Sequence, residues 1–258
     1  MPRPMCFVTS PSMLLASAGD LMASEAVASR LALPITGDGG ALVVPMRSAA
    51  GAADAVVVMS IARPLPMADG SDDLAQRVAW PGWQQAAQAW RSHLVVSSMG
   101  DPAGLDGVRA ATADVLRVAA ALASRMPADG VCWSGSGLLL PAADMATAAG
   151  RNPLPPELLI RCLWRAAGSP ALPAPTASTH GLRFFDLPEL DDRTGDVDPE
   201  AISARLLNLG SYLIANGPVI GDGDTIGNDQ GGARVRHARD AEGQLVLTLH
   251  RVGQPAAA

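Results

Sequence analysis

Apolar positions recur along this chain at intervals of three and four in some stretches and gather into short β-branched runs in others, which predicts alternating helices and strands. The longest helical stripe runs through Leu105, Val108, Thr112, Val115, Ala119, Leu122 and Met126, with Arg109, Asp114, Arg117 and Arg125 off it. Its seam is built of small and medium side chains, so this helix is expected to pack closely against a sheet. A second helix is expected over residues 199–216. Asp198 is placed to cap it, Pro199 fits the first helical position, and Glu200 lies where the helix dipole favours negative charge. Ile202, Leu206, Leu209 and Leu213 form its buried stripe, and Asn216-Gly217-Pro218 ends it. Shorter helices are predicted over 20–31, stopped by Pro34, and over 81–91, where Trp83 and Trp90 read as core anchors.

Strands are predicted over residues 6–16, where Pro11 is a break point, and over 41–46, 55–62 and 94–99. The run 181–190, apolar and aromatic and closed by Pro188 and acids, also suits a strand. Residues 130–138 read as strand, turn and the start of a further apolar run. The segments 233–239 and 245–251, joined by Asp240-Ala241-Glu242-Gly243, read as a hairpin. Gly37-Asp38-Gly39-Gly40 and residues 221–227 are expected to be tight turns. The apolar run 158–164, bracketed by proline-rich segments, fits either a strand or a short helix.

The Thr-x-Gly-Leu-Arg-x-Phe stretch from Thr179 that ends in Pro188-Glu189-Leu190, the helix ending Tyr212-Leu213-Ile214-Ala215-Asn216-Gly217, and the turn Gly221-Asp222-Gly223-Asp224-Thr225-Ile226-Gly227 together resemble the DUF4261 family of bacterial proteins. The resemblance is densest over 179–250 and extends upstream through 83–96. It brings no activity with it. For residues 158–164 it favours a strand. The chain departs from the family pattern at Phe185-Asp186, where a small or glycine-containing pair is expected, and this puts the local turn in question.

The order strand, helix, strand, strand, helix, strand over residues 6–99 matches a ferredoxin-like unit. The expected fold is therefore α+β, with antiparallel or mixed sheets, helices packed on one face, and two ferredoxin-like halves as the candidate arrangement. A doubly wound parallel sheet ranks second, because the last third reads as hairpins. The expected organisation is an N-terminal half over 1–140, a proline-rich connection with a strand over 141–178, a DUF4261-like half over 179–252, and a loose tail over 253–258.

With 48% hydrophobic and 17% charged residues in 258 positions, the composition is that of a globular protein. A net charge of −6 argues against nonspecific binding to nucleic acid. All 19 basic residues are arginine, which excludes a Walker-type phosphate loop, a Schiff-base enzyme and a lysine general base. No run reaches the length of a membrane span, and residues 13–18 read poorly as an export signal, so a cytoplasmic location is expected. Cys6, Cys132 and Cys162 lack metal or nucleophile spacing and read as buried thiols.

Candidate chemistry is sparse. Ser136 lies between glycines, but Ser134 stands where a nucleophile elbow needs glycine, so a turn is expected. Asp222, Asp224 and Asp229 fail the calcium-loop template at Ile226 and Ala233. Arg234, Arg236 and Arg239 with His237 read as a solvated patch on an edge-like strand. No cofactor and no metal are expected. The acids Asp69, Asp72 and Asp73, then Glu189, Asp191 and Asp192, then Asp222, Asp224 and Asp229 are read as three acidic loops that steer a basic partner. The sequence thus points to a non-catalytic protein-binding module, in concrete form an immunity-type protein that neutralises a basic toxin. Two alternatives stand beside it: an enzyme built on His180 and the 222–229 turn, and a structural or secretion-accessory protein.

Overall fold

The structure is a computed structural model and describes residues 3–11, 36–37, 41–47, 53–66, 80–149, 151, 155–165, 175–227 and 232–252. The helix expected over 20–31, the acidic loop at 69–73, the tail, and most of the turn at 37–40 lie outside these residues. The chain divides into two compact units, Met1–Leu158 and Leu159–Ala258. The architecture is α+β, with helices on two separate sheets.

In the first unit, β1 (Met5–Ser10), β2 (Thr36–Gly37), β3 (Ala41–Arg47), β4 (Ala53–Ile61), β5 (Ser92–Ser98), β6 (Gly130–Trp133) and β7 (Leu138–Pro141) form one sheet. Their order is β2-β3-β4-β5-β1-β6-β7. β1 stops just before Pro11, which has no N–H to give to a ladder. Every pairing in this sheet is antiparallel, and β1 lies between β5 and β6. A split βαβ unit sets parallel strands in one sheet, so the order found differs from the ferredoxin-like order read over 6–99. Periodicity identifies elements but says nothing about which strands pair.

The strand alternation of period two gives this sheet a dry face. Cys6 and Val8, Val56 and Val58, Leu94 and Val96, and Val131 and Trp133 are all nearly inaccessible. The helix α2 (Gly104–Ala123) lies against β1, β4, β5 and β6, and buries Val108, Thr112, Val115 and Leu116 together with residues 118–123. Each large side chain so buried is worth about 1.5–3 kcal/mol. On other positions of the sheet, Leu65, Trp90 and Leu139 form a cluster with Phe7, Trp80, Cys132, and Trp83 and Ala87 of α1 (Trp83–Ala89). Trp90 is fully buried and Trp83 half-buried, so both tryptophans act as packing anchors. The short helix α3 (Ala142–Ala148) packs on α2. Ser136 sits in the turn between β6 and β7, where Gly137 adopts φ 65°.

The run 158–164 divides. Its start belongs to a single helical turn, α4 (Pro156–Leu159), and its end to β8 (Arg161–Arg165). The second unit's sheet also contains β9 (Thr176–His180), β10 (Glu189–Asp192), β11 (Thr225–Ile226), β12 (Ala233–Arg239) and β13 (Leu245–Arg251), in the order β11-β12-β13-β10-β9-β8. β10 and β13 run parallel and the other pairs antiparallel. Helix α5 (Pro199–Asn216) packs on β9 and β10. Its ends are those the sequence predicts: Asp198 Oδ1 accepts from the Glu200 N–H at 3.0 Å, and Gly217 takes φ 84°. Ile202, Leu206, Leu209 and Leu213 are buried. At Gly210 an added Cβ would come within 2.5 Å of Ile160 Cδ1, so glycine allows the close approach.

The strand expected over 181–190 is not one strand. Leu182–Phe185 is a 3₁₀ turn between β9 and β10, with Phe184 and Phe185 in edge-to-face contact at 5.3 Å. The carboxylate of Glu189 overrides the β preference of the aromatic pair: Oε1 accepts from the N–H groups of Gly181 and Arg183 at 2.9 and 3.1 Å. Asp186 closes the turn at φ 59°, the one non-glycine positive φ among the described residues. It belongs to the Phe185-Asp186 pair, where a small or glycine-containing pair is expected, and here an aspartate takes the left-handed conformation.

Arg205 of α5 donates to Asp192 Oδ2 at 2.8 Å, Thr194 Oγ1 at 2.9 Å and Asp196 Oδ2 at 2.9 Å, and the Asp192 side chain is 1% exposed. Arg205→Ala strands that carboxylate and should destabilise the second unit by about 3 kcal/mol in urea titrations. A loss below about 1 kcal/mol would show the pair to be dispensable. Burial raises the Cys6 thiol well above its ordinary value and that of Cys162 to about 11. Both should therefore resist alkylation in native protein and react on unfolding, as read by mass spectrometry. Rapid native alkylation at Cys132 would reopen a nucleophile role for that residue.

Candidate functional site

The site grows from the way β10 sits inside the second sheet. Its residues alternate between faces, and the pairing with Arg205 puts Asp192, with Leu190, on the side that α5 covers. Asp191 therefore projects to the opposite side. Register aligns it with Ser178 of β9 and Thr248 of β13, and extends the row to Leu163 and Arg236. Around this row lies a cleft of about 370 Å³. Its lining is dominated by polar groups: Arg165, Arg183, Arg193 and Arg239, the acids Glu189, Asp191, Asp240 and Glu242, and His180.

Most of these charges are already engaged. Arg183 pairs with Asp240, and Arg239 donates to the Gly243 carbonyl at 2.6 Å. Glu189 holds the 3₁₀ turn and also accepts from Thr179 Oγ1 at 2.6 Å. Thr248 donates to the Arg236 carbonyl at 3.1 Å, and His250 Nε2 lies 3.1 Å from the Thr248 hydroxyl. Burial pushes the His250 imidazole below its ordinary pKa, and the nearby Arg193 and Arg236 add to this against the pull of Asp191. Asp191 itself is 5% exposed. Its Oδ2 receives both Nε and an Nη of Arg193, at 2.9 and 2.8 Å, while its buried Oδ1 has no hydrogen-bond partner.

The acids picked out in the sequence meet three fates. Asp69, Asp72, Asp73 and Asp229 lie outside the described residues. Glu189, Asp191 and Asp192 are not a solvated loop: they are the buried strand β10, at 6%, 5% and 2% exposure. Hydropathy assigns such a run to the surface, and the donors that keep it inside come from Thr179, Thr194, Arg193 and Arg205. Asp222 and Asp224 are exposed but serve the turn. Asp224 Oδ2 accepts from the Gly221 N–H at 2.7 Å, and Asp222 Oδ1 from the His237 N–H at 2.9 Å. That backbone bond, reinforced by Arg236 at 3.5 Å, lowers the Asp222 pKa.

This turn and β11 lie along the outer side of β12, so the strand with the alternating arginines is covered rather than a bare edge. His180 reaches the cleft, and residues 222–227 are not part of its lining. Of the residues singled out, the cleft gathers His180, Glu189, Asp191 and Arg239. Sequence reading missed Arg165, Arg183, Arg193, Ser178 and Thr248 as site residues. The signal for part of this was the alternation in β13, where Val246, Thr248 and His250 interleave with Leu247 and Leu249.

Among the described residues no group of three or more His, Cys, Asp or Glu is arranged to hold a metal ion, and no helix is long and apolar enough to cross a membrane. No curated protein and no solved structure matches this chain. A family model does match, over residues 178–245, from β9 through α5 and the 221–227 turn to the start of β13. Residues 178–245, within the second unit, thus match the domain of unknown function DUF4261.

Proposed function

We propose that the chain is a non-catalytic protein-binding module and that the cleft-bearing face of the second unit's sheet is its binding surface. The observation that supports this most is the contrast between the two faces of one sheet. α5 covers one with Ile202, Leu206, Leu209 and Leu213, while the other presents a polar concavity rimmed by arginines. Arginine is over-represented in interface hot spots because its long side chain combines apolar area with several donors. A net charge of −6 would steer a basic partner toward the protein before contact. In its most concrete form the partner is a toxin, which this chain neutralises as an immunity-type protein.

Photo-crosslinking in the source cells tests the reading. A crosslinking residue at Ser178, inside the cleft, should capture one protein partner, and the same residue at Tyr212, on the exposed side of α5, should not. Capture from Tyr212 alone, or turnover of a metabolite by the purified chain, would overturn it.

A further inference from the structure

We propose that the cleft is a socket for the guanidinium of an arginine on the protein partner, that Asp191 is its receptor, and that Arg193 occupies that receptor while the partner is absent. This deepens the binding-face reading and rests on it.

The geometry of the Asp191–Arg193 pair carries the argument. A carboxylate and a guanidinium pair best as two forks, with two parallel N–H groups meeting one oxygen each. Here both N–H groups converge on Oδ2, and Oδ1 is left buried with no donor. The two residues are separated by a single position, and the contact they make is one-sided. The neighbouring hydroxyl does not repair it, since Thr248 gives its hydrogen to the Arg236 carbonyl. A buried acceptor left unsatisfied is costly, and charge-assisted donors are the strongest remedy.

An arginine arriving from outside the strand is not held to that one-sided approach and can engage both oxygens. Arg193 can give way, because its side chain is 53% exposed while that of Asp191 is 8% exposed. The exchange keeps the buried carboxylate paired throughout: one guanidinium leaves for water as another enters. Lysine, with a single point of charge, fits the two-oxygen receptor less well.

Nα-acetyl-arginine amide is the probe, titrated into the full-length ¹⁵N-labelled protein while backbone amide shifts are followed by NMR. The expected result is saturable shifts at Ser178, Asp191 and Thr248, weaker with Nα-acetyl-lysine amide. Asp191→Asn, which keeps the shape and removes the charge, should abolish them. Arg193→Gln should tighten binding by about fivefold, the factor that corresponds to no longer displacing a half-exposed guanidinium whose contact is worth about 1 kcal/mol. The amide spectrum itself reports whether each variant is folded.

Binding that survives Asp191→Asn, or that Arg193→Gln leaves unchanged or weakens, overturns the proposal. If acetate moves the same amides and the arginine probe does not, the face binds anions instead: the socket is wrong and the binding face stands. If neither probe moves them while Ser178 still crosslinks to a partner, the socket is again wrong and the binding face again stands. Loss of that crosslink, by contrast, removes the binding face itself.

Discussion

Three carboxylates within one four-residue strand cannot remain inside a fold unless each finds donors, and the local architecture of the second unit follows from how Glu189, Asp191 and Asp192 find theirs. Glu189 draws the backbone of 181–183 into a 3₁₀ turn. Asp192 gathers the N–H and hydroxyl of Thr194 at 3.0 and 2.7 Å and fixes Arg205, which ties the first turns of α5 to the strand. The parallel pairing of β10 with β13 then sets Thr248 beside Asp191. The cleft is thus a consequence of the same strand that anchors the helix.

The first unit meets a different constraint with different means. Its central strands bury apolar side chains on one face, so the requirement there is close packing rather than donors. α2 meets it with the run Val118-Ala119-Ala120-Ala121-Leu122-Ala123, in which small residues let the helix approach the sheet. Buried hydroxyls on β1 meet backbone acceptors: Thr9 Oγ1 reaches the Gly130 carbonyl at 3.1 Å and Ser10 Oγ the Pro127 carbonyl at 2.5 Å. Gly130 leaves space for this, since a Cβ there would stand 2.8 Å from Thr9 Oγ1.

What could be read from the sequence was whatever is local. The cap, first-turn proline and terminal glycine of α5 act within a few residues of one another, and so do the hairpin turn at 240–243 and the stripe of α2. What could not be read depends on partners far along the chain or on strand pairing. The aromatic run 182–185 has the composition of a strand, and only a carboxylate several residues on makes it a turn. The acids of β10 look solvated because Arg205 lies thirteen positions from Asp192. The site row was hidden most fully, since Ser178, Asp191 and Thr248 become neighbours only once β9, β10 and β13 pair in register.

Period two along β10 gives adjacent aspartates opposite surroundings. Asp192 faces the helix, and both its oxygens are satisfied by groups held in place from two directions, with Arg205 itself only 23% exposed. Nothing from solution can compete for such a carboxylate without unfolding the unit around it. Asp191, one residue away, faces the cleft and holds only the half-exposed Arg193, just past the end of β10, through a single oxygen. Buried acids on the two faces of one strand thus divide into one whose oxygens are both satisfied and one that leaves an oxygen without a donor. The stability of the first is what allows the second to remain incompletely satisfied.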